Sequence, residues 1–240
     1  MRGKLTFLLT GAGLCLTLML PYTVTNAEEI ESSIARGGKL YDKWYAVIDE
    51  KAPKANHPAY PADKKYAQKP KSNWRCKECH GWDGRGKDGA YSGGSHFTGI
   101  KGINGMAGAE NPKIIAVLKG GTHAYADKLN DGDFNDLANF ISKGQINMDK
   151  YIDSSTKAPK GNSAKGEVYF NTICSNCHGK DGFKPKDMGK TLGGQMGNPW
   201  EVMSKILNGQ PNEQMPALRA LDHQIIADIM SHIATLPKKR

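Results

Sequence analysis

Two five-residue runs hold the reactive side chains of this chain: Cys76-Lys77-Glu78-Cys79-His80 and, in the second half, Cys174-Ser175-Asn176-Cys177-His178. The Cys-x-x-Cys-His spacing lets two thiols add across the vinyl groups of one haem while the adjacent imidazole binds its iron. Both runs continue as Gly-x-Asp-Gly, in Gly81-Trp82-Asp83-Gly84 and Gly179-Lys180-Asp181-Gly182. A redox dithiol or half of a zinc site is the competing reading, but a zinc ribbon would pair its Cys-x-x-Cys units at short separation. The sequence therefore predicts two covalently attached haem c groups, held by Cys76, Cys79, Cys174 and Cys177 with His80 and His178 as iron ligands.

The fifth cysteine, Cys15, lies in an apolar run from Leu5 to Leu20 that follows Arg2 and Lys4 and ends at Thr25-Asn26-Ala27. That is the three-part layout of a secretory signal, with cleavage expected after Ala27 and a periplasmic mature protein. The alternative is a membrane anchor at residues 5–20, although the run falls short of a spanning helix. About 213 residues would remain, enough for two domains of roughly 100 residues each. The formal charge of +9 falls to about +7 without Arg2 and Lys4. Such a surface suits acidic protein patches, or weak association with anionic headgroups at a membrane surface, more than nucleic acid.

Helical elements must position these motifs. In the second half, Lys165 to Phe170 opens a helix into Cys174, and a Gly/Lys loop runs from Gly179 to Gly197. Asn198-Pro199-Trp200 starts a helix with Val202, Ile206 and Leu207 on its apolar face, which Asn208-Gly209 stops. A loop carries Met215-Pro216, and Leu221 to Leu236 repeats apolar residues at Ile225, Ile226, Ile229, Met230 and Ile233, a helical spacing. This order resembles the small class I cytochromes c over residues 164 to 237. The resemblance implies an all-α fold wrapped round a haem.

The first half repeats the plan. Asn111-Pro112 answers Asn198-Pro199, Val117-Leu118-Lys119-Gly120 answers Ile206-Leu207-Asn208-Gly209, and Leu129 to Ile141 matches Leu221 to Ile233 without a gap. Six residues before Leu221 stands Met215; six before Leu129 stands His123. The shared plan assigns His178 and Met215 to the second haem, with Met188, Met196 and Met203 as core or loop methionines. It assigns His80 and His123 to the first, with His96 and Met106 as rivals. A thioether stabilises ferrous iron, so the first haem is expected at the lower potential and as the entry point for a low-potential donor.

The expected organisation is a signal at 1–27, a first cytochrome c domain at 28–147, a linker at 148–163 and a second domain at 164–240. The first domain carries a proline- and lysine-rich insertion, about 49–73, read as a loop that covers the domain. The linker, with Pro159 and Gly161, is expected to run over the surface. His57, His223 and His232 receive no function.

In its tandem layout the chain resembles the dihaem cytochromes of the c4 type, departing from them at His123. That implies a periplasmic electron carrier rather than an enzyme. Its partners would be redox proteins, a donor dehydrogenase or cytochrome and an acceptor cytochrome or terminal oxidase. The alternative is an oxidoreductase, or its electron-transfer subunit, resembling thiosulfate dehydrogenases or dihaem peroxidases. The former hold a catalytic haem by histidine and cysteine, and no cysteine is left over here after haem attachment.

Overall fold

A computed structural model describes residues 25–240, so the expected secretory segment at 1–27 and the alternative anchor at 5–20 fall almost wholly outside the described residues. Ten helices are named in chain order: α1 (Thr25–Val47, interrupted at Lys43), α2 (Pro70–Asn73), α3 (Cys76–His80), α4 (Asn111–Lys119), α5 (Asp131–Lys143), α6 (Ser163–Tyr169), α7 (Ser175–His178), α8 (Leu192–Gln195), α9 (Pro199–Asn208) and α10 (His223–Ile233). A π-helical turn, Phe170–Cys174, joins α6 to α7. The described residues contain no β-strand, only two isolated bridges, Gly86 with Lys101 and Ile152 with Pro159. No helix among them is long and apolar enough to cross a membrane.

Two hydrophobic clusters organise these helices. The first gathers Leu40, Tyr41, Trp44 and Tyr45 of α1 with Ile114 of α4 and Phe134, Leu137 and Ile141 of α5. The second gathers Phe170 with Met203, Ile206 and Leu207 of α9 and Ile226, Ile229 and Met230 of α10. Burying one such side chain contributes about 1.5–3 kcal/mol, so these clusters supply the main attraction between the helices.

In each half the helix preceding the motif crosses a late helix at a glycine. A Cβ on Gly37 of α1 would lie 2.1 Å from the Asp136 carbonyl oxygen of α5, and one on Gly166 of α6 would lie 1.8 Å from that of Asp228 on α10. Four residues after each glycine stands a buried aromatic ring, Tyr41 and Phe170. The late helices start in register as well: Asn130 and Asp133 form a capping box on α5, and Asp222 accepts from the Gln224 amide on α10.

The halves also pack on each other. Asp42 of α1, 2% exposed, is ion-paired with both Arg75, just ahead of α3, and Lys205 of α9. Arg219, also buried, donates to the Gly144 carbonyl at 2.9 Å and twice to Asn208 Oδ1, at 3.0 and 2.7 Å. Trp82 and Tyr91 of the first half enter the second cluster.

The 148–163 segment, exposed over 154–158, is anchored at both sides of that stretch. Met148 and Ile152 are buried in the second cluster, and a Cβ on Gly161 would lie 2.2 Å from the Ala227 carbonyl oxygen. Its polar composition obscured two anchoring side chains. The loop expected from Gly179 to Gly197 contains α8, started by Thr191, whose hydroxyl accepts from the Gly194 amide at 3.0 Å.

Candidate haem sites

At the first motif, aromatic side chains fix the backbone on either side of α3. Tyr41 Oη donates to the Gly81 carbonyl at 2.6 Å, while Trp44 Nε1 and Tyr125 Oη donate to that of Trp74 at 2.9 and 3.0 Å. Gly81 then adopts φ +78, a left-handed conformation that suits glycine, and turns the chain back under the histidine. Asp83 of Gly-x-Asp-Gly accepts from the amides of Arg85 and Ala90 at 3.2 and 2.7 Å, closing that loop. The chain beyond it presents the Lys101 carbonyl to His80 Nδ1 at 2.7 Å. The second motif repeats the device: Gly179 at φ +72, Asp181 accepting from Phe183, and His178 Nδ1 on the Lys184 carbonyl at 3.0 Å. In both, the carbonyl accepts from Nδ1–H, so the proton stays on Nδ1 and the Nε2 lone pair is free for a metal.

His123 meets His80. Their ring centroids lie 6.1 Å apart with planes 26° from parallel. His123 Nδ1 is held by the Val117 carbonyl at 3.1 Å, so its Nε2 is free too. Metal–nitrogen bonds of about 2 Å on either side of one ion, plus the two ring radii, require centroids roughly 6 Å apart. The pair therefore fits an iron between them. Burial, the largest influence on each, pushes His80 down to about 4 and lowers His123, so both are neutral imidazoles able to ligate. Cys76 and Cys79 are free thiols on the same turn, both pushed up by burial, to about 11 and about 12.

The two rivals for the first iron have other partners. His96 Nδ1 is 2.5 Å from Glu78 Oε1, its Nε2 is 3.4 Å from Tyr66 Oη, and its ring is sandwiched by Tyr66 and Tyr91 at 5.0 and 4.6 Å. Met106 packs against the first hydrophobic cluster.

At the second motif, Cys174 ends the π-helical turn and packs, half-buried, on the second cluster with Met215. The Asn208-Gly209 stop turns the Met215 loop back onto α9: Gly209 has φ +84, and a Cβ there would lie 2.6 Å from the Met215 carbonyl oxygen. The Leu218 amide donates to the Ile206 carbonyl at 3.0 Å, closing the loop. Met196 and Met203 are buried core residues, and the Met188 carbonyl accepts from Arg240 at 3.2 Å.

Three features escaped the sequence reading. His57, in the insertion, is buried: its ring packs on Trp74 at 4.5 Å and its Nε2 lies 3.0 Å from the His123 carbonyl, with Nδ1 accepting from Ala59 at 3.2 Å. It thus holds the backbone of the candidate ligand, and no motif surrounds it to signal this. Lys77 and Glu78, between the first pair of cysteines, are buried and paired at 2.7 Å. Burial would raise Glu78, yet His96 and Lys77 outweigh it and keep the carboxyl below its ordinary range. Trp82 is buried among three cations, with Lys77, Lys205 and Arg75 at 5.1, 5.4 and 5.9 Å from its ring.

Residues 161–233 match the family model described as cytochrome c oxidase, cbb3-type, subunit III. No curated protein matches the chain. The matched segment, which contains the second motif and Met215, is thus similar to a cytochrome c domain. Such a domain implies covalently bound haem c and haem-based electron transfer.

Proposed function

We propose that the chain is a dihaem cytochrome c, built as two tandem class I-like domains and exported to the periplasm, that carries electrons between redox proteins by outer-sphere transfer. The observation that carries the second haem beyond the matched segment is the facing pair His80 and His123, 6.1 Å apart with both Nδ1 atoms on backbone carbonyls. Haem supplies a one-electron couple at its iron.

The residues then have defined tasks. Cys76 and Cys79, and Cys174 and Cys177, would tether the groups, and His80 with His123, and His178 with Met215, would hold the two irons. With two protein ligands each, the irons would offer one-electron exchange rather than an open position for a substrate. The Lys101, Val117 and Lys184 carbonyls fix imidazole orientation, so little reorganisation accompanies electron exchange. The bis-histidine site is the lower-potential one.

A redox titration of purified holoprotein with visible spectra at each step tests this reading. It should resolve two low-spin centres, and a pyridine haemochrome assay should return two haems per chain that resist acid-acetone extraction. One haem per chain, or turnover with thiosulfate or hydrogen peroxide at enzymatic rates, would sink it.

A further inference from the structure

The two motifs face different surroundings. Lys77 and Glu78 at the first are 5% and 1% exposed, sealed by His96, Tyr66 and Tyr91. At the corresponding positions of the second motif, Ser175 is half-buried and Asn176 exposed. The insertion adds to the first seal, burying Tyr60 at 6% exposure. Nothing corresponds to it at the second, because only a few residues precede Cys174 there.

The loop beside the second motif is basic. The loop after the second motif carries Lys180, Lys184, Lys186 and Lys190, all exposed, against Asp181 and Asp187. The final residues bring Lys238 and Lys239 to the same loop, because Arg240 donates to the carbonyls of Phe183, Pro185, Lys186 and Met188 at 2.9 to 3.2 Å. This loop also supplies the Lys184 carbonyl that orients His178. The patch is thus fixed to the site beside it.

We infer that this chain exchanges electrons with its partners at the second motif alone, through a docking surface formed by the 180–190 loop and the 238–240 tail, and that the partner presents an acidic face. The inference rests on the carrier reading above. It differs from the expectation that a low-potential donor enters at the first haem. Electron transfer falls off with distance, and the packing over Lys77 and Glu78 keeps a partner off that side of the first motif. Lysines beside the second attract an anionic face and orient it during encounter. A protein partner is favoured over an anionic bilayer because the patch lies on the loop that directly follows the second motif and holds His178.

Two charge-matched triple variants of the holoprotein test this, K186E/K190E/K239E on the patch and K51E/K54E/K65E on the insertion. Each removes the same net charge. Stopped-flow oxidation of the reduced protein by ferricyanide, and by an acidic cupredoxin, is read at low and high salt. At low salt the patch variant should be slower by about tenfold with both oxidants, the insertion variant should stay within about twofold of the parent, and the difference should close as salt screens the charges. Equal slowing of both variants, or slowing of neither, would overturn the inference. So would a patch variant that stops sedimenting with phosphatidylserine vesicles but keeps the parent's rate with the cupredoxin, since the patch would then serve a membrane. Haem content and potentials, measured first on both variants, report separately on the carrier reading: fewer than two haems in the parent would defeat that reading.

Discussion

One five-residue pattern is set in two environments in this molecule. Around the first motif the variable positions are charged and buried: Lys77 pairs with Glu78, Glu78 with His96, and the His96 ring lies between two tyrosines. Around the second they are Ser175 and Asn176, facing solvent or half-buried, with a lysine-rich loop beside them. Buried charges are tolerated only when paired, and breaking one partnership strands the other charge. The motif itself therefore sets only what can be attached. In the proposed reading, the flanking packing sets whether a partner can approach, and the facing side chain, His123 at one haem and Met215 at the other, tunes the potential.

The largest test of this contrast removes one site and asks whether the other survives. Cys174→Ala with Cys177→Ala should halve the haem content, from two per chain to one, and leave the bis-histidine spectrum. Loss of both haems would mean that the halves mature as one unit. Exchanging the facing ligands sharpens the comparison: Met215→His should abolish the near-infrared methionine-to-iron band and lower the potential of the second centre towards that of the first, as seen in a redox titration. A band that persists would remove Met215 from the coordination sphere.

The interface between the halves comes next in size. Asp42→Ala strands Arg75 and Lys205 and should cost about 3–5 kcal/mol in denaturant unfolding, the range for breaking a buried pair. Burial raises the Asp42 carboxyl but Lys205 and Arg75 outweigh it, so its pKa in the folded protein is lowered. Its contribution is thus fully present above the unfolded carboxylate pKa of about 4 and is lost as pH falls through the lower folded value. Acid unfolding of the parent should therefore show a stability loss below about pH 4 that Asp42→Ala lacks. The smallest effect is expected at His57. Replacing it by Phe keeps the packing on Trp74 but leaves the His123 carbonyl without its donor, at a cost of about 1–3 kcal/mol and with a shift confined to the first centre's spectrum. An unchanged spectrum would reduce His57 to a packing residue.

The sequence by itself determined what depends on covalent spacing and periodicity. Cys-x-x-Cys-His chemistry is local, so the candidate attachment residues were legible at once, and the offset that equates His123 with Met215 was legible because two copies of one plan share their helix starts. The helical fold class followed from apolar spacing on α5, α9 and α10. The offset put His123 ahead of His96 and Met106, and the tertiary structure showed where each lies: His123 faces His80, His96 pairs with Glu78 and Met106 packs on the first cluster. Only the tertiary structure decided that Met148 and Ile152 anchor the presumed linker, and that Asp42 joins residues far apart in sequence, Arg75 and Lys205. Paired burial of charge and the covering of one motif but not the other arise from long-range contacts, which leave no periodic trace along the chain.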